Sequence, residues 1–354
     1  MTAGAGGGGG YLHHALFYDS PQALVGAAGP FLRAGLAAGD LPVLVCSDRN
    51  NALLTEALGG EAEVVVLEPA SIYTRVVDAV DRYQRLVRTQ RRRGTHRVRL
   101  VGEVDFGPPP MWDEWTRFEA IVNLALASYP LSSVCAYDTR TLPTPILKAA
   151  RTTHPNLLTS AGAEPNPGYR HPVTVLRALP PDPPDPLEAT PPRIADDLTA
   201  PADLTRLRRK LRTALTTAGV PTSVMDDVVV AAHEICTNGL IHGRPPVLVR
   251  VWTSADRVHC TITDQGTGHN QSLAGYLPPP TPVRTGAGLW VTRNLVDRVS
   301  STHTTDGFVV RLTTQALNDG GHIQRRPPHD SDGEGWSPGT WEGREGCHFR
   351  PGVH

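Results

Sequence analysis

The chain has 354 residues, 40% of them apolar and 19% charged, with a formal net charge of −1. That length allows two domains of ordinary size, each with its own core, and the near-neutral balance supplies no overall field for nucleic acid or an anionic membrane. Lys148 and Lys210 are the only lysines and neither follows a glycine, which excludes a Walker-type phosphate loop, since that loop needs a Gly-Lys-Ser/Thr triplet.

Residues 1–10 are too rich in glycine to order, and residues 316–354 mix Gly, Pro, Asp, Arg and His without periodicity, so both ends are expected to be mobile. The glycine tract replaces the charged and apolar regions of a secretion signal, and no run of 18 apolar residues exists, so the expectation is a cytoplasmic protein without membrane contact. Five cysteines, at 46, 135, 236, 260 and 347, are never in C-x-x-C spacing. They suggest neither a zinc cage nor a disulfide framework.

The first half alternates short apolar strands with amphipathic helices. Strands are predicted at 15–18, 42–46, 63–67, 98–101 and 133–137, and helices at about 21–38, 50–58, 71–93 and 111–128. This order predicts an α/β domain with a parallel sheet covered on both faces. Asp48, Glu103, Asp105 and Asp138 follow strand ends, where such sheets bind ligands, and they also read as helix caps and turn residues. The arginines at 82, 85, 88, 91, 92, 93, 97 and 99 form a dense positive run that reads as a solvated helix face or as a surface for an acidic partner or nucleic acid.

Residues 11–160 resemble the MEDS sensory domain of bacterial regulators. The resemblance rests on His14-x-x-Phe17-Tyr-Asp-Ser-Pro21, residues 30–39, Gly102-Glu103, Glu119-x-x-x-Asn123 and Tyr137-Asp138. It implies a sheet related to P-loop ATPases that has lost its phosphate loop, and sensing of an input rather than catalysis. Residues 161–194 read as a linker, with the Pro-Pro-Asp-Pro-Pro-Asp-Pro run at 180–186 in an extended polyproline form.

The second half, 195–315, opens with a helix over 203–218 carrying Leu204, Leu207, Leu211 and Leu215 at helical spacing. A second helix over about 222–241 turns Val228, Ala231, Ala232 and Ile235 to a core. On its other face Glu234 and Asn238 are neighbours one turn apart, with His242 continuing the row. An amide oxygen is a hard, neutral ligand for Mg²⁺, and an adjacent carboxylate can accept a proton from an attacking hydroxyl. A hairpin over 247–252 and 257–263 runs into Asp264-Gln-Gly266-Thr-Gly268, where a strand-end Asp can accept the amine of adenine. The Pro-rich loop at 269–284 reads as a lid, and Arg284 is placed to reach a terminal phosphate. Thr285-Gly286-Ala-Gly288 then opens a helix over 289–296, a Gly-rich helix start suited to anions. A strand at 307–312 closes the sheet.

Residues 195–315 resemble the GHKL-type ATPases, a two-layer α/β sandwich, and within them the anti-sigma-factor serine/threonine kinases. The resemblance implies Glu234 as catalytic base, Asn238 as Mg²⁺ ligand and Asp264 as adenine reader. It also implies nucleotide-binding roles for His242, Gly266, Gly268, Arg284, Thr285, Gly286, Gly288 and Leu289, with ATP and Mg²⁺ as cofactors. The implied partners are a STAS-type anti-anti-sigma factor, a sigma factor and a second copy of the chain, with no direct nucleic-acid contact. Two alternatives stay open: a nucleotide-gated sigma-binding module without kinase activity, and a sensor histidine kinase. In one position the chain departs from the family, with Phe308 where a threonine usually follows the glycine of the last strand. Thr304 and Thr305 are the candidate replacements.

Overall fold

The computed structural model describes residues 10–59, 63–268, 273–277 and 287–316. The ends expected to be mobile lie outside these residues, apart from Gly10 and Ala316.

The first half forms β1 (Leu12–Tyr18), α1 (Pro21–Ala37), β2 (Leu41–Val45), α2 (Asp48–Leu58), β3 (Val65–Val66), α3 (Pro69–Ile72), α4 (Val76–Arg92), β4 (Val98–Gly102), α5 (Trp112–Ala125), β5 (Leu131–Asp138), α6 (Thr144–Thr153), β6 (Asn156–Thr159), β7 (Gly162–Pro165) and α7 (Pro172–Ala178). The sheet order is β3-β2-β4-β5-β1-β6-β7, parallel except where β7 turns back on β6. Alternation along each strand divides the core. Ala15, Val43, Val45, Leu100 and Tyr137 face α4 and α5, while Leu16, Leu44, Val101 and Ala136 face α1 and α2. The predicted helix at 71–93 is two helices, broken at Tyr73–Arg75, and β6, β7, α6 and α7 were not anticipated.

At the carboxyl ends of the strands, Glu103 accepts from Tyr18 Oη (2.7 Å), Asn50 Nδ2 (2.6 Å) and Ser47 N (2.8 Å). Asp105 closes a turn on Gly107 N and Asp138 pairs with Arg140, as local turn chemistry dictates. The arginine run is not one solvated face. Arg97 bonds the carbonyls of Gly10 and Leu131, and Arg99 pairs with Asp40 and bonds Phe31 O.

The second half forms β8 (Ile194–Leu198), α8 (Asp203–Thr217), α9 (Thr222–Ile241), β9 (Val247–Thr253), β10 (Arg257–Asp264), α10 (Gly288–Leu295), β11 (Arg298–Thr304) and β12 (Gly307–Gln315). Its antiparallel sheet runs β11-β12-β10-β9-β8. The four leucines of α8 and the apolar stripe of α9 are buried against Val249, Val251, Cys260, Ile262 and Leu312, giving the two-layer sandwich expected.

The Pro-rich connection is not a free extended strand. A short 3-10 turn at Pro186–Ala189 is closed by a capping box of Asp185 and Glu188, and the segment straps the sheet face opposite α8 and α9. Glu188 bonds Arg311 (2.7 and 3.1 Å) and His259 (3.1 Å), Asp185 pairs with Arg257, and Trp252 Nε1 donates to Thr190 O. Burial alone would raise the Glu188 carboxyl, but the Arg311 guanidinium and the Asp185 amide hold it below its usual value. Its stabilisation is therefore present above the ordinary carboxylate pKa and lost as pH falls through the lower folded value. Glu188→Gln should cost about 1 kcal/mol at neutral pH, discounted for partial exposure, and should flatten the acid limb of thermal melts.

Candidate functional site

Helix α9 packs on its sheet and against α10, which also touches β11. Because Ile235 and Cys236 are buried toward the sheet, Glu234 and Asn238 fall on the α10 side, and both are half-buried. Burial raises the Glu234 carboxyl above its usual pKa, and among the described residues no cation or hydrogen-bond donor offsets that cost. The first residue of α10, Gly288, faces this pair closely. A Cβ there would stand 2.8 Å from Glu234 Oε2 and 3.2 Å from Asn238 Nδ2, so only glycine leaves the space in front of the carboxylate and amide open. The α10 N-cap, Ala287, has no side chain that can accept a hydrogen bond, which leaves the first helical amides to a ligand or water.

Asp264 closes β10 beside the C-terminal end of α9, next to Gly239 and Gly243. Its Oδ1 accepts from Gly266 N (2.7 Å) and Arg244 N (3.3 Å), and a Cβ at Gly266 would stand 2.6 Å from that oxygen. The Cβ position of Gly239, the residue after Asn238, is 3.6 Å from Asp264 Cβ, so the end of β10 lies against α9 one residue from the carboxamide. Gly268 has φ +60 and its Cβ position falls on the Phe308 ring, a conformation and a contact that each require glycine. The carboxylate, the carboxamide and the glycine approaches fit a nucleotide with its metal.

His242 is exposed just past the end of α9, and Leu289 is half-buried against the domain core. Arg284, Thr285 and Gly286 lie outside the described residues. Phe308 is buried and pairs in register with Asp264. Thr304, exposed, spends its hydroxyl on the β11–β12 turn through Gly307 O and Asp306 N, and Thr305 is exposed at the tip.

Two features escaped the sequence reading. Of the predicted lid, Leu273–Leu277 packs with the first-half core: Tyr276 is buried in it, with Leu273 and Leu277 alongside. Arg293 of α10 sits 3.8 Å over the Tyr276 ring and bonds Ala274 O, while Arg75, at the start of α4, donates to Val296 O (3.0 Å) just after α10. Apolar residues in a Pro-rich loop were the available signal. The second feature is a buried group of His13, Glu119, Cys135 and His154, which the cysteine spacing had argued against.

Residues 12–155 match the protein-family model described as MEDS, the methanogen/methylotroph DcmR sensory domain, and residues 198–314 match the histidine kinase-like ATPase domain. Among solved structures, the chain is similar to the RsbU and RsbW domains of Rv1364c from Mycobacterium tuberculosis, at 22% identity and a TM-score of 0.27, covering 35% of this chain and 32% of that one. The chain thus spans about a third of that protein's length. It is also similar to the catalytic domain of the histidine kinase ThkA, at 10% identity and a TM-score of 0.24, covering 35% of this chain and 97% of that one. No curated protein matches. Among the described residues no helix is long and apolar enough to cross a membrane. The chain carries a MEDS domain at its N-terminus and a histidine kinase-like ATPase domain of GHKL type at its C-terminus.

Proposed function

We propose that this chain is a cytoplasmic protein serine/threonine kinase of the anti-sigma type, which binds ATP with Mg²⁺, phosphorylates a STAS-domain partner and so controls a sigma factor. The observation that carries the reading is Glu234, a half-buried carboxylate without a counter-charge among the described residues, one turn from Asn238 and facing Gly288. When bound, the nucleotide supplies the phosphoryl group and Mg²⁺ neutralises the phosphates. Asn238 would offer the metal its amide oxygen, and Asp264 would accept the adenine amine. Arg284, Thr285, Gly286 and Gly288 would hold phosphate, with Gly266, Gly268, His242 and Leu289 lining the nucleotide. Glu234 would take the proton of a protein hydroxyl, since a carboxylate raised by burial holds a proton more readily than an exposed one.

A phospho-accepting histidine on paired long helices would argue otherwise. Residues 156–197, between the two matched regions, form a hairpin, the seven-residue α7, a 3-10 turn and β8, and α8 carries no histidine. The seat of Tyr276 in the MEDS core and the Arg75 bond to the end of α10 support control of the lid by the N-terminal domain.

Labelled ATP with Mg²⁺, the full chain and candidate STAS and sigma proteins test the reading. Acid-stable phosphate on a STAS serine or threonine is expected. Acid-labile phosphate on the chain itself would make it a histidine kinase, and nucleotide-dependent sigma binding without transfer would make it a sequestering module.

A further inference from the structure

We propose that the MEDS domain holds one divalent transition-metal ion, with zinc the best fit, at His13, Glu119, Cys135 and His154. The four side chains come from β1, α5, β5 and the residue after α6, and all are buried. Their donor atoms converge. Glu119 Oε2 lies 3.2 Å from His13 Nε2, 3.4 Å from His154 Nε2 and 3.6 Å from Cys135 Sγ, while His13 Nε2 lies 3.4 Å from Sγ. In a tetrahedron the ligands are separated by about 1.63 bond lengths, which for Zn–N, Zn–O and Zn–S bonds gives edges of about 3.3–3.7 Å. Three of the six edges fall in that range and a fourth is 0.1 Å short of it, while the remaining two are no longer than 4.8 Å.

The surrounding hydrogen bonds aim each donor inward. Asn123 Nδ2 donates to the carbonyls of Glu119, Ala120 and Thr153, which fixes Oδ1 as the acceptor facing His13 Nδ1 at 3.1 Å. His13 therefore carries its proton on Nδ1 and presents a lone pair at Nε2. His154 does the same, with Nδ1 2.9 Å from Ala150 O. Among the described residues its buried Nε2 has no hydrogen-bond partner, a cost that a folded core seldom accepts unless something binds there. Tyr137 Oη donates to Glu119 Oε1 at 3.1 Å, so the other oxygen, Oε2, is the one turned to the group. Such outer partners are what orient metal ligands.

Charge gives the same answer. Binding would release the Cys135 thiol proton and any proton on Glu119, and a thiolate, a carboxylate and two neutral imidazoles then cancel the two charges of the ion. A neutral site can be buried where an isolated ion cannot. Thiolate and imidazole favour zinc, cobalt or iron over magnesium or calcium. Four protein donors leave no open position, as in sites that hold structure or report occupancy rather than activate water.

The test is metal analysis and Co²⁺ substitution of the full chain. One equivalent of zinc that survives dialysis is expected, and the cobalt form should show intense tetrahedral visible bands with a thiolate charge-transfer band. Cys135→Ser should abolish the charge-transfer band, whereas Cys260→Ser and Cys347→Ser should keep it. Glu119→Gln, which preserves the shape and the Tyr137 contact, should weaken metal affinity about 100-fold or more, with nucleotide binding and circular dichroism reporting an intact fold. Substoichiometric metal removed by dialysis, or a charge-transfer band that survives Cys135→Ser, would overturn the proposal.

Discussion

Glu234→Gln is expected to leave ATP affinity within a few-fold of wild type and to lower phosphoryl transfer to a protein acceptor by about 10²–10⁴-fold. Glutamine keeps the volume beside Gly288, so the cradle keeps its shape. What it removes is a proton acceptor. The same substitution should not weaken the fold, because a carboxyl raised by burial stabilises the protein only while protonated, and that contribution is lost as pH rises through the folded value. At neutral pH the amide should therefore melt at or above the wild-type temperature while activity collapses, a combination that damage to packing would not produce. In the wild type the transfer rate should fall as pH drops through the Glu234 value, which burial raises, and the variant should lack that limb. Equal rates in the two proteins would remove Glu234 from the role of base.

How much of this was legible in the letters differs between the two halves. In the C-terminal half, helical spacing put Glu234 and Asn238 on one face and left the leucines of α8 and the stripe of α9 for the core, because a single helix fixes those relations locally. The closeness of Gly288 to Glu234 depends on how α10 crosses α9, and no spacing encodes that. β8 and β11 escaped notice because they are edge strands with mixed polarity, Asp196 of β8 pairing with Lys210 and Arg206. In the N-terminal half, continuous apolar runs announced the parallel strands. The quartet around Glu119 was invisible because its donors come from four elements spread over 142 positions, each looking like an isolated polar residue. The proline run suggested an extended tether, but Asp185 and Glu188 meet Arg257 and Arg311 only once β10 and β12 stand side by side.

Asp264→Asn should raise the Kd for ATP by about 10–100-fold, in keeping with the 1.5–3 kcal/mol of a hydrogen bond to a charged group. Two backbone amides, of Gly266 and Arg244, donate to Oδ1. An asparagine here keeps its oxygen in that place, since an amide nitrogen would set donor against donor. Its NH₂ then occupies the position of Oδ2 and points a donor at the exocyclic amine of adenine, which is also a donor. The local fold therefore survives while base recognition is inverted. A purine carrying a carbonyl at that position offers an acceptor instead, so the variant should lose ATP and gain inosine triphosphate relative to wild type. The buried Phe308 ring against Gly268 brings no polar group beside Asp264, so the prediction falls on the Asp264 carboxylate. Calorimetric titration of both nucleotides into both proteins measures the switch. A uniform loss for the two bases would mean that Asp264 supports the loop without reading the ring, and unchanged affinities would take adenine away from this end of β10 altogether.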